Sequence, residues 1–367
     1  VKRFSRLLGA LAVTTAAAVT VPGSAVAAAG APLPGDQMHR HCTASADNTD
    51  LTCSFDVPPG VYDVRVALGS RTSAANTGLE VEANRTALTP VTTRAGHTVV
   101  RSVTVDVRTP ESMPDGQEGD GTPGLQLKLT GSAPALAGLR VTPHPHAPRL
   151  FVVSDSTACD WLNTVQRGWA QELPQHVGPG LAVANWGVSG SSTVSWLQNP
   201  ALFAALKPQI HRGDAVLIQL AHNDKTTPED TYRANLLSLL DGVRSRGGRP
   251  VLVTPPVRHL FDANGKITST GRIVNSLGVD LPAVMRDVAQ QHDVPLLDLT
   301  ADSTALMEQL GPDASWQLYA ELPAGRSQTH FNASGATALA GLVAREAARA
   351  HLPAAGFLIA PPTADEQ

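Results

Sequence analysis

The chain has 367 residues, with 28 Lys and Arg against 32 Asp and Glu, a formal net charge of −4 and 42% hydrophobic residues. That length predicts more than one domain, each with enough apolar residues for a core. The charge is nearly balanced and carries no basic block, which excludes a nucleic-acid binder that works by neutralising phosphates.

The chain opens with Lys2, Arg3 and Arg6, then an alanine-rich apolar run over residues 7–21, then Ala25-Val26-Ala27. Basic, apolar and small segments in that order predict a secretory signal peptide over residues 1–27. The apolar run is too short for a membrane anchor, and no stop-transfer pattern follows. Val1 fits an alternative start codon. Export to an oxidising compartment agrees with cysteine use, because Cys42 and Cys53 are spaced to close a small disulfide loop. Cys159 is left over, and a buried inert thiol is the ordinary fate of such a residue.

From residue 31 to 142 the hydrophobic period is two. Tyr62, Val64, Val66 and Leu68 alternate with Asp63, Arg65 and Ala67, and the same holds at 79–83, 103–107 and 125–129. One wet face and one dry face per strand predict an antiparallel β-sandwich domain, either a binding module or a packing platform. The loop 110–124 is rich in Gly, Pro and acids, but its acids lack the ligand spacing of a calcium loop. Asn84-Arg85-Thr86 and Asn332-Ala333-Ser334 match the glycosylation pattern, a short motif with many chance occurrences.

Pro143-His144-Pro145-His146-Ala147-Pro148 reads as a stiff linker, since Pro at this density blocks both helix and sheet pairing. Beyond it, over residues 149–353, strand-like runs at 150–153, 181–184, 215–220, 250–254 and 294–299 alternate with amphipathic stretches near 165–176, 230–246, 279–292 and 334–350. Strand–helix alternation with short connections predicts a parallel, doubly wound α/β sheet. Residues 354–367 form a tail.

Ser156 lies just past the first of these strands, in Ser154-Asp155-Ser156-Thr157. Asp-Ser-Thr at a strand end is most often a turn or cap. Further polar clusters change its meaning: Asn185 to Ser191 after the second strand, Ala221-His222-Asn223-Asp224 after the third, and Thr329-His330 before the final helix. A parallel sheet gathers its carboxyl ends on one edge, so these clusters can share one pocket. Ser156 as nucleophile and His330 as base would perform acyl transfer. The N–H groups of Ser156 and Gly190 and the Asn223 amide would hold the oxyanion.

These blocks, with Gly168-Trp169, resemble those of the SGNH (GDSL) hydrolases, and among them the rhamnogalacturonan acetylesterases, over roughly residues 149–353. The resemblance implies a flavodoxin-like three-layer α/β/α fold, no cofactor, and removal of acetyl groups from plant cell-wall polysaccharide, typically pectic rhamnogalacturonan. Some relatives carry an N-terminal β domain. The chain departs from the family at Ser154 and Ala221, where the family has Gly, and at Ser327, where it has the catalytic Asp. A backbone carbonyl could orient His330 instead, or Asp313 or Glu321 could supply the acid. A degenerate, glycan-binding protein is the alternative, and a general short-chain esterase or lipase is the rival within the fold. Trp161, Trp169, Trp186, Trp196 and Trp316 offer either sugar-stacking surface or core.

Overall fold

The structure, a computed structural model, describes residues 26–28, 35–44, 51–81, 86–108, 124–161, 164–350, 352 and 356. The period-two segments are antiparallel strands. In chain order the first nine are β1 (Val26–Ala28), β2 (Cys42–Ala44), β3 (Leu51–Phe55), β4 (Gly60–Ser70), β5 (Ala75–Val81), β6 (Thr86–Thr93), β7 (His97–Val107), β8 (Leu125–Ala133) and β9 (Leu136–Pro143). One turn of helix, α1 (Met38–His41), precedes β2. One sheet runs β2-β3-β8-β5-β6, while β7, β4 and β9 lie side by side in another. Residues from both sheets, among them Val64, Val66, Leu79, Val105 and Leu127, bury their side chains in one cluster. Cys42 faces Cys53 across β2 and β3, and the two form the expected disulfide.

The second sheet does not end there. It continues through β11 (Ala182–Asn185), β10 (Arg149–Ser154), β12 (Ala215–Gln219), β13 (Arg249–Val253) and β14 (Leu296–Leu297). These five are parallel to one another, and β11 pairs in parallel with β7 at Val183 and Val105. The segment 143–148, expected as a stiff linker, is a bonded turn within this continuous structure. His144 N donates to the Val61 carbonyl at 2.7 Å, and His144 Nδ1 lies 3.0 Å from Asp63 Oδ2. Arg149 Nε donates to Asp106 Oδ1 at 2.8 Å, tying β10 to β7. Period alone could not reveal this, because a strand edge is satisfied by any neighbour that supplies the ladder.

The parallel strands are buried on both sides, which explains their continuous apolar runs. Leu150 and Val152 join one cluster with residues of α2 (Trp169–Glu172), α7 (Leu299–Ala314) and α8 (Ala333–Arg349). Phe151 and Val153 join another with α3 (Thr193–Gln198), α4 (Phe203–Leu206), α5 (Glu229–Arg244) and α6 (Leu281–Gln291). The helix expected at 165–176 is short: four residues of α2, then a 3-10 turn from Leu173 to His176 with Pro174 in its first turn.

The short helices α3 and α4 were not expected, and neither were two larger elements. One is α7, which starts on the Asp298 cap and breaks at Gly311 (φ 80°), ahead of Pro312. The other is a hairpin of β15 (Tyr319–Leu322) and β16 (Gly325–Phe331).

Asn332 is not a free glycosylation acceptor. Its amide donates to the carbonyls of Gln317 (2.8 Å) and Tyr319 (3.2 Å), and its Oδ1 caps α8 through Gly335 N. Asn84, the loop from 110 to 123, and the expected leader apart from Val26 and Ala27 lie outside the described residues. Val26 and Ala27, with Ala28, pair with Val99, Thr98 and His97 of β7.

Candidate active site

Ser156 sits in a tight turn that leaves β10. The Asp155 carbonyl accepts from Ala158 N and Cys159 N, and its carboxylate accepts from Thr157 N, Thr157 Oγ1 and Gln219 Nε2. These bonds fold the turn with no need of regular structure. Neighbouring segments press directly on it: a Cβ at Gly168 would fall 2.2 Å from the Cys159 carbonyl oxygen. That explains the glycine of Gly168-Trp169. Trp161 Nε1 donates to the Ser156 carbonyl at 2.9 Å. Neither Ser154 nor Ala221 has a positive φ, so the loss of glycine at both positions is absorbed without strain.

His330 lies on β16, so it reaches the site from a hairpin rather than from a parallel strand end. Its Nε2 stands 3.0 Å from Ser156 Oγ, a distance at which an imidazole can take a hydroxyl proton. The Trp161 ring meets the imidazole edge-on at 5.5 Å. Phe331, the next residue, accepts from Arg167 N through its carbonyl.

Ser327 does not serve the ring. Its Oγ accepts from His330 N (2.9 Å) and Thr329 N (3.2 Å), which pins the backbone. Asp313 and Glu321 line a separate open cavity of about 440 Å³ with Trp316 and Arg326. Among the described residues neither acid bonds to His330. Burial is the main influence on the imidazole and lowers its pKa; the Asp155 carboxylate raises it, and the Arg258 cation lowers it further. The net direction is downward, so His330 is neutral and able to accept a proton at pH 7.

Gly190 has φ 78°, a conformation that excludes ordinary side chains, and a Cβ there would meet nothing within 4 Å. The backbone N–H groups of Ser156 and Gly190 bond to no acceptor among the described residues. The Asn223 side-chain amide donates to the Ser191 carbonyl at 2.9 Å, which leaves its second N–H unspent and clamps the Asn223 segment to the Gly190 segment. Asn185 Nδ2 donates to Ala158 O and Asp160 Oδ1, joining the Gly190 segment to the Ser156 turn. Ser156 and His330 are thus in contact, and hydrogen bonds tie the segments that carry Gly190 and Asn223 to each other and to the Ser156 turn.

Several contributors escaped sequence reasoning. His222 is buried; its Nε2 donates to the Pro256 carbonyl at 2.9 Å, and burial chiefly drives its pKa down to about 4. Arg258 approaches on the loop after β13, and its Nη2 donates to the His222 carbonyl at 3.0 Å. Arg108, at the end of β7, donates through Nη2 to the Asn185 carbonyl at 2.8 Å and lies 5.2 Å over the Trp186 ring. His222 belongs to the Ala221-His222-Asn223-Asp224 block but carries no role in the sequence reading, and neither arginine belongs to a motif. Of the tryptophans, four are core, and Trp316 is stacked on His259 at 3.6 Å.

A parallel sheet of strand order 2-1-3-4-5 with a Ser–His contact at its carboxyl edge defines a flavodoxin-like hydrolase of ester bonds. The chain belongs to the GDSL-like lipase/acylhydrolase family, whose model matches residues 154–338, and it is a carboxylic ester hydrolase. It is 34% identical over 226 residues to the rhamnogalacturonan acetylesterase RhgT of Bacillus subtilis, covering 58% of this chain and 94% of the relative. It is also 27% identical over 351 residues to the uncharacterized esterase YxiM of the same organism, covering 90% of this chain and 82% of that one. The crystal structure of YxiM superposes with a TM-score of 0.52 at 21% identity, covering 90% of this chain and 91% of that chain.

Proposed function

We propose that the protein is a secreted carbohydrate esterase that removes O-acetyl groups from plant cell-wall polysaccharide, with rhamnogalacturonan-type pectin as its substrate. The 3.0 Å contact between Ser156 Oγ and His330 Nε2 carries this reading. Support for the substrate comes from the 34% identity to RhgT, and support for export from the leader-like start and the Cys42–Cys53 disulfide.

In the reaction, Ser156 Oγ attacks the acetyl carbonyl carbon as His330 Nε2 takes its proton. The N–H groups of Ser156 and Gly190 and the free N–H of Asn223 receive the oxyanion. Collapse of the tetrahedral intermediate expels the sugar alkoxide, which takes the proton from His330 and leaves acetyl-Ser156. Water activated by His330 then releases acetate. No metal or cofactor enters these steps. The Asp155 carboxylate, fixed at the same turn, favours the imidazolium through space, in place of the carboxylate that Ser327 does not supply.

Ser327 also favours a second reading, a glycan-binding protein with a degenerate site. Acetate release from acetylated rhamnogalacturonan, compared with acetylated xylan and with Ser156→Ala, separates the two. Release from the pectin by the wild type alone is the expected result; glycan binding without release from any ester would support the binding protein.

A further inference from the structure

One hydrogen of the catalytic imidazole goes unused in the proposed reaction. For His330 Nε2 to accept the proton of Ser156 Oγ, 3.0 Å away, the proton of the neutral ring must stand on Nδ1. That Nδ1–H has no acceptor among the described residues. Nothing therefore selects it over the other tautomer, in which Nε2–H donates to Ser156 and can take no proton from it.

Ser327 brings a second donor beside the same residue. Its Oγ accepts from His330 N at 2.9 Å and from Thr329 N at 3.2 Å, so both of its lone pairs are occupied. The hydroxyl hydrogen, like the Nδ1–H, has no acceptor among the described residues. Both side chains are half-buried on β16, partly screened from water but within reach of a solute. Two neighbouring donors, one of them on a ring that becomes cationic, suit the two oxygens of a carboxylate.

The charges around the ring allow an anion there. Asp155 and Arg258 act on it with opposite sign. His222 is neutral, its pKa driven down to about 4 chiefly by burial. Arg326, next to Ser327 on the strand, lies 5.7 Å over the Trp316 ring. Asp155 does not itself make the contact, because its oxygens are held by Thr157 N, Thr157 Oγ1 and Gln219 Nε2.

Resting on the Ser156–His330 reaction above, and not on the polysaccharide proposed for it, we propose that His330 Nδ1 and the Ser327 hydroxyl form a binding site for a small free carboxylate, formate or acetate, that activates the enzyme. The anion accepts from Nδ1–H and from Ser327 Oγ–H and takes no proton from either. It selects the productive tautomer and stabilises the imidazolium that forms as Ser156 gives up its proton. Acetate is what acetyl-Ser156 releases, so hydrolysis supplies its own activator.

The test compares hydrolysis of p-nitrophenyl butyrate in formate and in chloride of equal ionic strength, at about pH 8, where formate is ionised and His330 neutral. Rates with Ser156→Ala are subtracted to remove direct attack by the anion. Formate should raise kcat saturably, by roughly fivefold, with KM little changed. The bound anion also raises the pKa of His330, so the acid limb of the profile should move to higher pH and formate should inhibit there. In Ser327→Asp the chain supplies its own carboxylate, and formate should add nothing. An unchanged kcat in formate overturns the proposal. So does an equal rise in chloride or in Ser327→Asp, since the anion would then act elsewhere.

A second measurement needs no turnover. The proton NMR signal of His330 Cε1–H, assigned by its loss in His330→Gln, should titrate at higher pH in formate than in chloride. Identical titrations overturn the carboxylate site. If the wild type hydrolyses no ester while formate still raises that pKa, the esterase reaction fails and the carboxylate site stands.

Discussion

Replacing Ser327 by Asp tests how the imidazole is supported. Ser327 Oγ already accepts from His330 N at 2.9 Å, so a side chain at this position points at the correct residue. An aspartate is one atom longer and has two oxygens. One can keep the backbone bond while the other accepts from the Nδ1–H of His330. A carboxylate about 4 Å from the imidazolium gains about 4 kcal/mol at an effective dielectric of ~20. The site is partly open to water, and the Asp155 carboxylate already acts on the ring, so most of that is discounted. About 1.4 kcal/mol remains, a rise in kcat of roughly tenfold, well short of the ~10⁴ that an acid contributes to a preorganised triad.

The assay is kcat and KM on p-nitrophenyl acetate from pH 4 to 9. The gain should lie in kcat. The new carboxylate favours protonated His330, so the acid limb of the profile should move to higher pH. An unchanged kcat together with an unmoved acid limb would refute the reasoning, since the new carboxylate would then not reach the ring.

Three further outcomes concern stability. A chain starting at Pro148 should be insoluble or unfolded, because it strips β7 from the edge of β11 and removes Arg108 from the Asn185 carbonyl; Arg108→Ala alone should lower stability by on the order of 3 kcal/mol in urea unfolding. Glu172 is buried, and its pKa is pushed up to about 7, chiefly by burial, against an ordinary 4.5. The folded state therefore holds a proton that the unfolded state has lost between those values, and stability should fall as pH rises from about 4.5 to 7, by about 3 kcal/mol. Glu172→Gln should flatten that fall in thermal melts, and an equal slope in both proteins would contradict it.

The parallel strands were legible in the sequence because burial on both faces leaves an unbroken apolar run, and the antiparallel strands because one wet face leaves an alternation. The contact of Ser156 with His330 was legible only in part: Ser156 follows a parallel strand end, where topology gathers such residues, whereas His330 comes from a hairpin that the pattern did not reveal. The hairpin of β15 and β16 was not. Its exposed residues Gly325, Arg326 and Gln328 carry no apolar alternation, and it holds its place through backbone bonds such as that from His259 N to Gln328 O. Helix α7 was hidden by its Ser, Thr and Asp residues and by the Gly311-Pro312 break, which read as loop composition. The continuity of the sheet across Val105 and Val183 was also invisible. Pairing between distant strand edges leaves no mark in the local pattern, and the prolines of 143–148 suggested separation where the structure has a turn. Arg108 and Arg258 act through contacts with distant backbone carbonyls, which no motif records.

The most direct test of the account is covalent labelling of the nucleophile. A serine-directed phosphonate ester should inactivate the protein with one-to-one stoichiometry, and peptide mapping should find the label on Ser156 alone. Ser156→Ala should take up no label and release no acetate above background. Label on another residue, with acetate release surviving in Ser156→Ala, would contradict the account.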